Sequence, residues 1–232
     1  MNHHSVMAPS LARRRPTPAA TRRAPASRGD IPRAARRPEA APVDKRDAIL
    51  RAATQVFARR GFFGAQVADI AREAGVAAGT VYLYFHGKDD LLVSLFERAM
   101  TDAIAEARGV VEGAATPAER LQHIARLHLE RIGRDRDLAI VFQVELRQTT
   151  KFMERFSSTQ LREYLGIIRD VIADGQHAGG FRRDVNPTVA AKILFGALDE
   201  MATNWILSRR RYSLAAQADI VVDLFLNGVR ST

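Results

Sequence analysis

A chain of 232 residues with a 47% hydrophobic fraction can bury a sizeable core, which excludes a wholly disordered polymer. It has no cysteine, so disulfide scaffolds, thiolate metal sites and cysteine nucleophiles are excluded together. A formal charge of +9 points to a polyanion such as nucleic acid, provided the charge lies on the folded part.

Most of it does not. Residues 1–43 carry nine Arg against Asp30 and Glu39, which puts +7 in this stretch and leaves +2 for residues 44–232. The stretch is built of Arg, Ala, Pro and Ser, and Pro16, Pro18, Pro25, Pro32 and Pro38 interrupt any helix, so 1–43 is expected to be a disordered tail. It lacks the apolar run of a secretory signal, and its prolines oppose the amphipathic helix of a transit peptide. Two readings stand: a basic arm adding nonspecific phosphate contacts, or a solvated extension with Met7 as a second start. Nowhere does an apolar run approach the roughly 18 residues of a membrane-spanning helix. A soluble protein without a membrane partner is expected.

From Asp44 onward apolar residues recur at helical spacing and hairpin signals are lacking, so the expected fold class is all-α. Behind Asp44 as N-cap, Ile49, Ala53, Val56 and Phe57 mark a first helix over about 45–60, stopped by Gly61. Short helices follow at about 66–74, ended by Gly75, and at about 78–84; Gly87 and Lys88 then open a long fourth helix to about Val111. Thr116, Pro117 and Glu119 form a helix start, and that helix should reach about Ile132. Asp135 or Asp137 caps the next, to about Thr150. An amphipathic run through Leu161, Tyr164, Leu165 and Ile168 ends at Gly179-Gly180; Asn186-Pro187 begins a helix to about Ser208; Ser213 caps a last one ending near Asn227-Gly228. Nine helices are expected: short ones over 44–90 and a larger helical region over 91–232.

The informative spacing lies in 66–88. A helix-turn-helix needs a small residue where its helices cross, a glycine at the turn and an apolar inner face; Ala71, Gly75, and Ile70, Val76 and Val81 supply these. The outer edge of the second helix is small in front (Ala77, Ala78, Gly79) and then carries Thr80, Tyr82 and Tyr84, which suits a major groove. Farther on, Leu138 to Gln148 is apolar around nearly its whole circumference, so this helix must lie among others. It takes Gln143, Glu145 and Arg147 with it. An apolar cavity with a polar gate and a plain core with internal salt bridges both satisfy that pattern. The last two helices have more apolar surface than one face can bury, and small Ala190, Ala197 and Ala202 fit close approach in a two-fold interface, so a homodimer is expected.

An enzyme would have to work with His123, His128 and Glu130, but i and i+5 lie on different helical faces, unlike the pair on a zinc helix. No glycine-rich phosphate loop is present. Neither catalysis nor a metal or cofactor is expected.

Gln66 to Val76, then Gly79-Thr80-Val81-Tyr82-Leu83-Tyr84-Phe85 and Lys88-Asp89-Asp90-Leu91-Leu92, resembles the DNA-binding signature of the TetR family of transcriptional repressors. The resemblance implies double-stranded DNA with a palindromic operator as partner. Thr80, Tyr82, Tyr84 and Lys88 would then meet phosphates, and Gly79 and Leu83 would face bases. Lys45 and Arg46 would touch the backbone from helix one, His86 would contact phosphate or cover the turn, and Gln66 opens the motif where the family often has Thr. For Tyr84 a ring packed on helix one is the alternative. Leu138 to Gln148, Phe195 to Glu200 and Asn204-Trp205 are similar to the fatty-acid-degradation repressors of this family, the FadR-type group, which implies long-chain acyl-CoA as effector. Phe142, Leu146, Tyr164, Leu165, Ile168, Phe195 and Leu198 are then candidates for an acyl tunnel, with Gln143 and Trp205 beside it. Arg147, or the run Arg209-Arg210-Arg211, is a candidate for holding the CoA phosphates, although a solvated loop explains that run equally simply. A free fatty acid, a steroid or a drug is the alternative effector. Ligand binding is expected to swing the fourth helix and change the separation of the two reading helices.

Overall fold

The computed structural model describes residues 44–148, 152, 154, 159–210 and 212–230. The expected tail and Arg211 lie outside them. Among the described residues there are nine α-helices, and the only extended pairing is one antiparallel bridge between Phe181 and Arg230. No described helix is long and apolar enough to cross a membrane.

Helix α1, Lys45–Gly64, begins where the Asp44 carboxylate accepts the Arg46 N–H at 3.0 Å. Gly61 does take a left-handed φ of 71°, but the chain makes one further turn before Ala65 instead of stopping. Helices α2, Val67–Glu73, and α3, Ala78–Tyr82, are joined through Gly75 at φ 68°. In this turn the Val76 N–H donates to the Ala71 carbonyl at 3.0 Å, and any Cβ at 75 would be strained by the backbone alone. Ile70, Ala71 and Val81 are buried beneath the turn.

Helix α4, Lys88–Glu112, and helix α5, Pro117–Arg134, follow. The start of α5 is a reciprocal cap: the Glu119 N–H donates to Thr116 Oγ1 at 3.2 Å, and the Thr116 N–H donates to Glu119 Oε2 at 3.0 Å. Of the two caps offered for the next helix it is Asp135 that serves, accepting the Leu138 N–H at 3.0 Å. The helix it opens is not the plain one expected. Helix α6 covers Arg136–Ile140, widens into a π-helix over Val141–Glu145 and tightens into a 3-10 turn over Leu146–Gln148. Helix α7 is Gln160–His177, and α8, Pro187–Leu207, starts under the Asn186 side chain, which accepts from the Thr188 and Val189 N–H groups. Helix α9, Ala218–Val229, starts five residues after the expected cap at Ser213. Leu214 is buried, with its Cβ against Gly133 of α5, so the chain docks there before it coils.

Two apolar cores result. The first joins α1, α2, α3 and the front half of α4, and it also takes Val141, Leu146 and Phe152 from the middle of the chain. The second joins the rear half of α4 with α5, α7, α8 and α9. Met100 packs against both.

Candidate functional site

Two surfaces have the properties of functional sites. The first is the outer edge of α3 and the turn after it. Leu83 is 82% and Tyr82 57% exposed, Tyr84 is exposed as well, and Thr80 is half-buried. A Cβ added at Gly79 would meet nothing within 4 Å, so the front of α3 is blunt and open. Helix α2 and α1 buttress this edge through ion pairs from Arg59 to Glu73 at 2.5 Å and from Arg60 to Asp69 at 2.6 Å. Large apolar side chains held outward on a rigid turn are available for contact with a partner. Lys45, Gln66 and His86 are exposed too, and the His86 N–H is tied to Asp90 Oδ2 at 2.9 Å. Arg46 lies over the Phe85 ring at 5.2 Å.

Lys88 departs from the phosphate role given to it. Its Nζ donates to the carbonyls of Phe62, Phe63 and Ala65 at 2.9, 3.1 and 3.2 Å, and lies 4.9 Å from the centre of the Phe62 ring. All three ammonium hydrogens therefore close the end of α1, where carbonyls would otherwise lack donors. Lys88→Ala is expected to lower stability by about 1 kcal/mol and to leave the salt dependence of DNA binding unchanged. Denaturant melts and anisotropy titrations over a salt series check both parts; a slope reduced by one phosphate contact would restore the original role.

The second surface is internal. A cavity with about 760 Å³ of atom-free space, solvent at its opening included, is lined by Ala99, Met100 and Ala103 of α4 and by His128, Arg131 and Ile132 of α5. Asp135, Leu138, Ala139, Phe142 and Gln143 of the next segment, Tyr164 of α7, and Phe195 and Asp199 of α8 complete it. Of the residues expected around a ligand, Phe142, Gln143, Tyr164 and Phe195 line this cavity. The others do not. Ile168 and Leu198 are fully buried in the second core, Leu146 is buried in the first, and Leu165 is half-buried on α7 away from the lining. Trp205 is held outside it: the Arg136 guanidinium lies 5.0 Å over its ring and its Nε1 donates to the Tyr212 carbonyl at 3.1 Å.

Arg147 is not a free cation for phosphate. Its Nη2 donates to both Asp199 oxygens, at 2.8 and 2.6 Å, and Gln143 Nε2 donates to Asp199 Oδ1 at 2.9 Å. Thr203 Oγ1 donates to Gln143 Oε1 at 3.2 Å, so the half-buried polar groups satisfy one another. Ala99, Arg131, Asp135 and Leu138 also line a neighbouring groove between α1 and α4, with Asp47, Arg51, Arg98 and Asp102 on its walls. There Arg98 pairs with Asp47 and holds that carboxyl below its usual range, whereas Arg51 pairs with no described residue. Arg209 and Arg210 are exposed and line neither space.

Spacing and periodicity overlooked the α4 and α5 walls. Ala99 and Ala103, and His128, Arg131, Ile132 and Asp135, stand at helical spacings that put each set on one face. His128 is part of this wall. Its Nδ1 lies 3.3 Å from the Tyr164 hydroxyl, and its Nε2 is covered and finds no partner among the described residues. Burial pushes this imidazole down to about 4, and burial also pushes the Tyr164 phenol well above its usual range, so both groups are neutral near pH 7. His123, by contrast, is exposed and Glu130 pairs with Arg134, and no group of three or more His, Asp or Glu among the described residues could hold a metal ion.

The link between the two surfaces is the π-helical stretch. Phe142 and Gln143 face the cavity, while Val141, Glu145 and Leu146 are buried in the first core. Glu145 Oε2 accepts the Phe62 N–H at 2.6 Å and the Gln148 side chain at 2.9 Å, and it lies 3.4 Å from where a Cβ on Gly61 would stand. A carboxylate thus closes the backbone break in α1.

Residues 49–95 match the family model for bacterial regulatory proteins of the tetR family, and residues 96–228 match that for the YsiA-like C-terminal region. The chain is 34% identical over 183 residues to the fatty acid metabolism regulator protein of Bacillus subtilis, covering 79% of this chain and 94% of that one. Among solved structures, it is similar to the fatty acid degradation regulator FadR from Bacillus halodurans, with a TM-score of 0.77 and 36% identity over 82% of this chain and 98% of that one. It is also similar to FadR from Bacillus subtilis in complex with stearoyl-CoA, with a TM-score of 0.75 and 34% identity over 79% of this chain and 99% of that one. These relatives are regulators, not enzymes.

Proposed function

The chain belongs to the TetR family of bacterial transcriptional regulators, and on that premise we propose that it represses fatty-acid-degradation genes and leaves its operator when a long-chain acyl-CoA fills the cavity. The observation that carries this reading is the apolar cavity, whose lining residues Phe142 and Gln143 belong to the same short stretch as Glu145, which closes the break in α1. An occupant that moves this stretch alters the support of the reading helices. The similarity to an acyl-CoA-bound regulator over nearly its whole length supports the choice of ligand.

DNA contact is assigned to the edge formed by Gly79, Thr80, Tyr82, Leu83 and Tyr84, flanked by Lys45, Gln66 and His86. The acyl chain is assigned to the space beside Phe142, Gln143, Tyr164 and Phe195. For the CoA phosphates the groove between α1 and α4 fits better than Arg147, because Arg51 there is unpaired; Asp47, Asp102 and Asp135 nearby keep that site modest in charge. The domain division follows the same lines: reading helices over 44–90 and sensing and dimerising helices over 91–232, in a protein of the bacterial cytoplasm.

A homodimer is assigned to α8 and α9. Ala190 and Ala202 turn inward to the chain's own core and cannot form its surface. Instead Val189, Ile193 at 59% exposure, Gly196 and Leu207 form a stripe along α8, and Ile220 and Leu224, at 57% and 69%, continue it on α9. Two such faces packed together bury the stripe and set two reading helices at a fixed separation.

The test is anisotropy with labelled duplexes from upstream of this gene and of fatty-acid-degradation genes. Stearoyl-CoA should weaken operator binding by about tenfold or more, with free stearate and CoA alone ineffective. Displacement by free fatty acids, a steroid or a drug instead would move the assignment to another apolar effector. A monomer indifferent to every duplex at low salt would overturn the reading.

A further inference from the structure

We propose that His128 reads the thioester carbonyl of the effector, its Nε2–H donating to the carbonyl oxygen from the wall of the cavity; this rests on the acyl-CoA reading and adds a specificity residue to it.

The argument starts from hydrogen counting. The Tyr164 hydroxyl and His128 Nδ1 are 3.3 Å apart and share one hydrogen bond. If the hydroxyl donates to Nδ1, the neutral ring carries its proton on Nε2, and one donor is left over. If Nδ1–H donates instead, the phenol hydrogen and the Nε2 lone pair are both left over. Burial makes each such group costly, so the first arrangement is favoured. Nε2 then stands as a lone N–H donor on a residue that lines an otherwise mainly apolar cavity.

The side chains around it do not answer this donor. Tyr164 is already engaged, Phe195 sits edge-on to the imidazole at 5.5 Å and offers no acceptor, and Asp199 is held by Gln143 and Arg147. An occupant with an acceptor set into a long apolar body satisfies both the donor and the walls. Nε2 is covered in this structure, so the carbonyl reaches it as the acyl body parts the apolar side chains. A carboxylate is a poorer match, because it would have to lose its hydration beside a neutral ring.

The experiment compares stearoyl-CoA with its octadecyl thioether analogue, in which a methylene replaces the carbonyl, by calorimetry on the full chain and on His128→Leu. The wild-type protein should bind the thioester about tenfold more tightly, and the preference should vanish in the variant. Without a donor the less polar thioether would bind at least as well, so equal affinities in the wild-type chain overturn the inference and leave the acyl-CoA reading standing. A preference that persists in His128→Leu also overturns it. If neither compound binds, the acyl-CoA reading itself falls. The wild-type comparison decides even if the variant folds poorly, and His128→Gln, which keeps an N–H donor, should retain part of the preference.

Discussion

Between pH 6.5 and pH 4 the protein should lose about 3 kcal/mol of stability that a His128→Leu variant does not lose. In an unfolded chain this imidazole protonates near 6.5, whereas in the fold burial holds it at about 4, with Arg131 acting in the same direction and Asp199 opposing. Across that window the unfolded state takes up a proton that the folded state refuses. Stability from this group is therefore complete above 6.5 and drains away as the pH falls toward 4. Urea unfolding of both proteins at steps from about pH 7 to about pH 4 gives the comparison. The other described histidines, His86, His123 and His177, are exposed and common to both chains, so the difference between the curves belongs to His128. Parallel curves would mean that the imidazole is hydrated after all.

Replacing Glu145 by Ala should lower stability by about 2 kcal/mol and, in addition, break the communication between effector and operator. Removing the carboxylate leaves the buried Phe62 N–H without its acceptor at the break in α1, and the Gln148 side chain loses its partner as well. Glu145 does not line the cavity, so effector affinity in the absence of DNA should stay nearly unchanged. Coupling is reciprocal: in the wild-type chain operator DNA must weaken effector binding by the factor by which effector weakens operator binding. In Glu145→Ala that factor should shrink toward one. Glu145→Gln keeps an oxygen able to accept from Phe62 and should recover most of the stability. An unaltered coupling factor in the Ala variant would remove Glu145 from the route between the sites.

Local chemistry was legible wherever one residue type does one job. Gly75 has the spacing of a turn glycine and takes a left-handed φ; Thr116, Pro117 and Glu119 have the pattern of a helix start and form a reciprocal cap. Local pattern falls short where a side chain has two possible employments. Ser213 has the chemistry of a cap, but the chain buries Leu214 and takes a 3-10 turn over Ala215–Gln217 before α9 begins. Lys88 has the chemistry of a phosphate ligand, but the carbonyls at the end of α1 lie 23 to 26 positions earlier in the chain, out of sight of any local pattern. The stretch 141–148 looked like ordinary helix because its composition is apolar all round. Within the widened turn Gln143 reaches Asp199 and Glu145 reaches Phe62, and each is a long-range contact. For the same reason the cavity was half seen: large apolar residues announce themselves, whereas alanines and one unpaired imidazole on an opposing wall do not.

Helix α4 holds one further consequence. It is continuous over 25 residues and rests near its middle on Met100, the residue shared by both cores. From Met100 to Lys88 the axis measures about 18 Å, so a tilt of about 10° around that support carries its first turn sideways by about 3 Å. In a symmetric pair the displacements oppose each other and double. A spacing error of that size, set against a half-site repeat of about 34 Å, is enough to put one reading edge out of phase with its groove while the other is seated. With Met100 as a fulcrum, a small change in packing would suffice to spoil the alignment on DNA, and no large rearrangement would be needed.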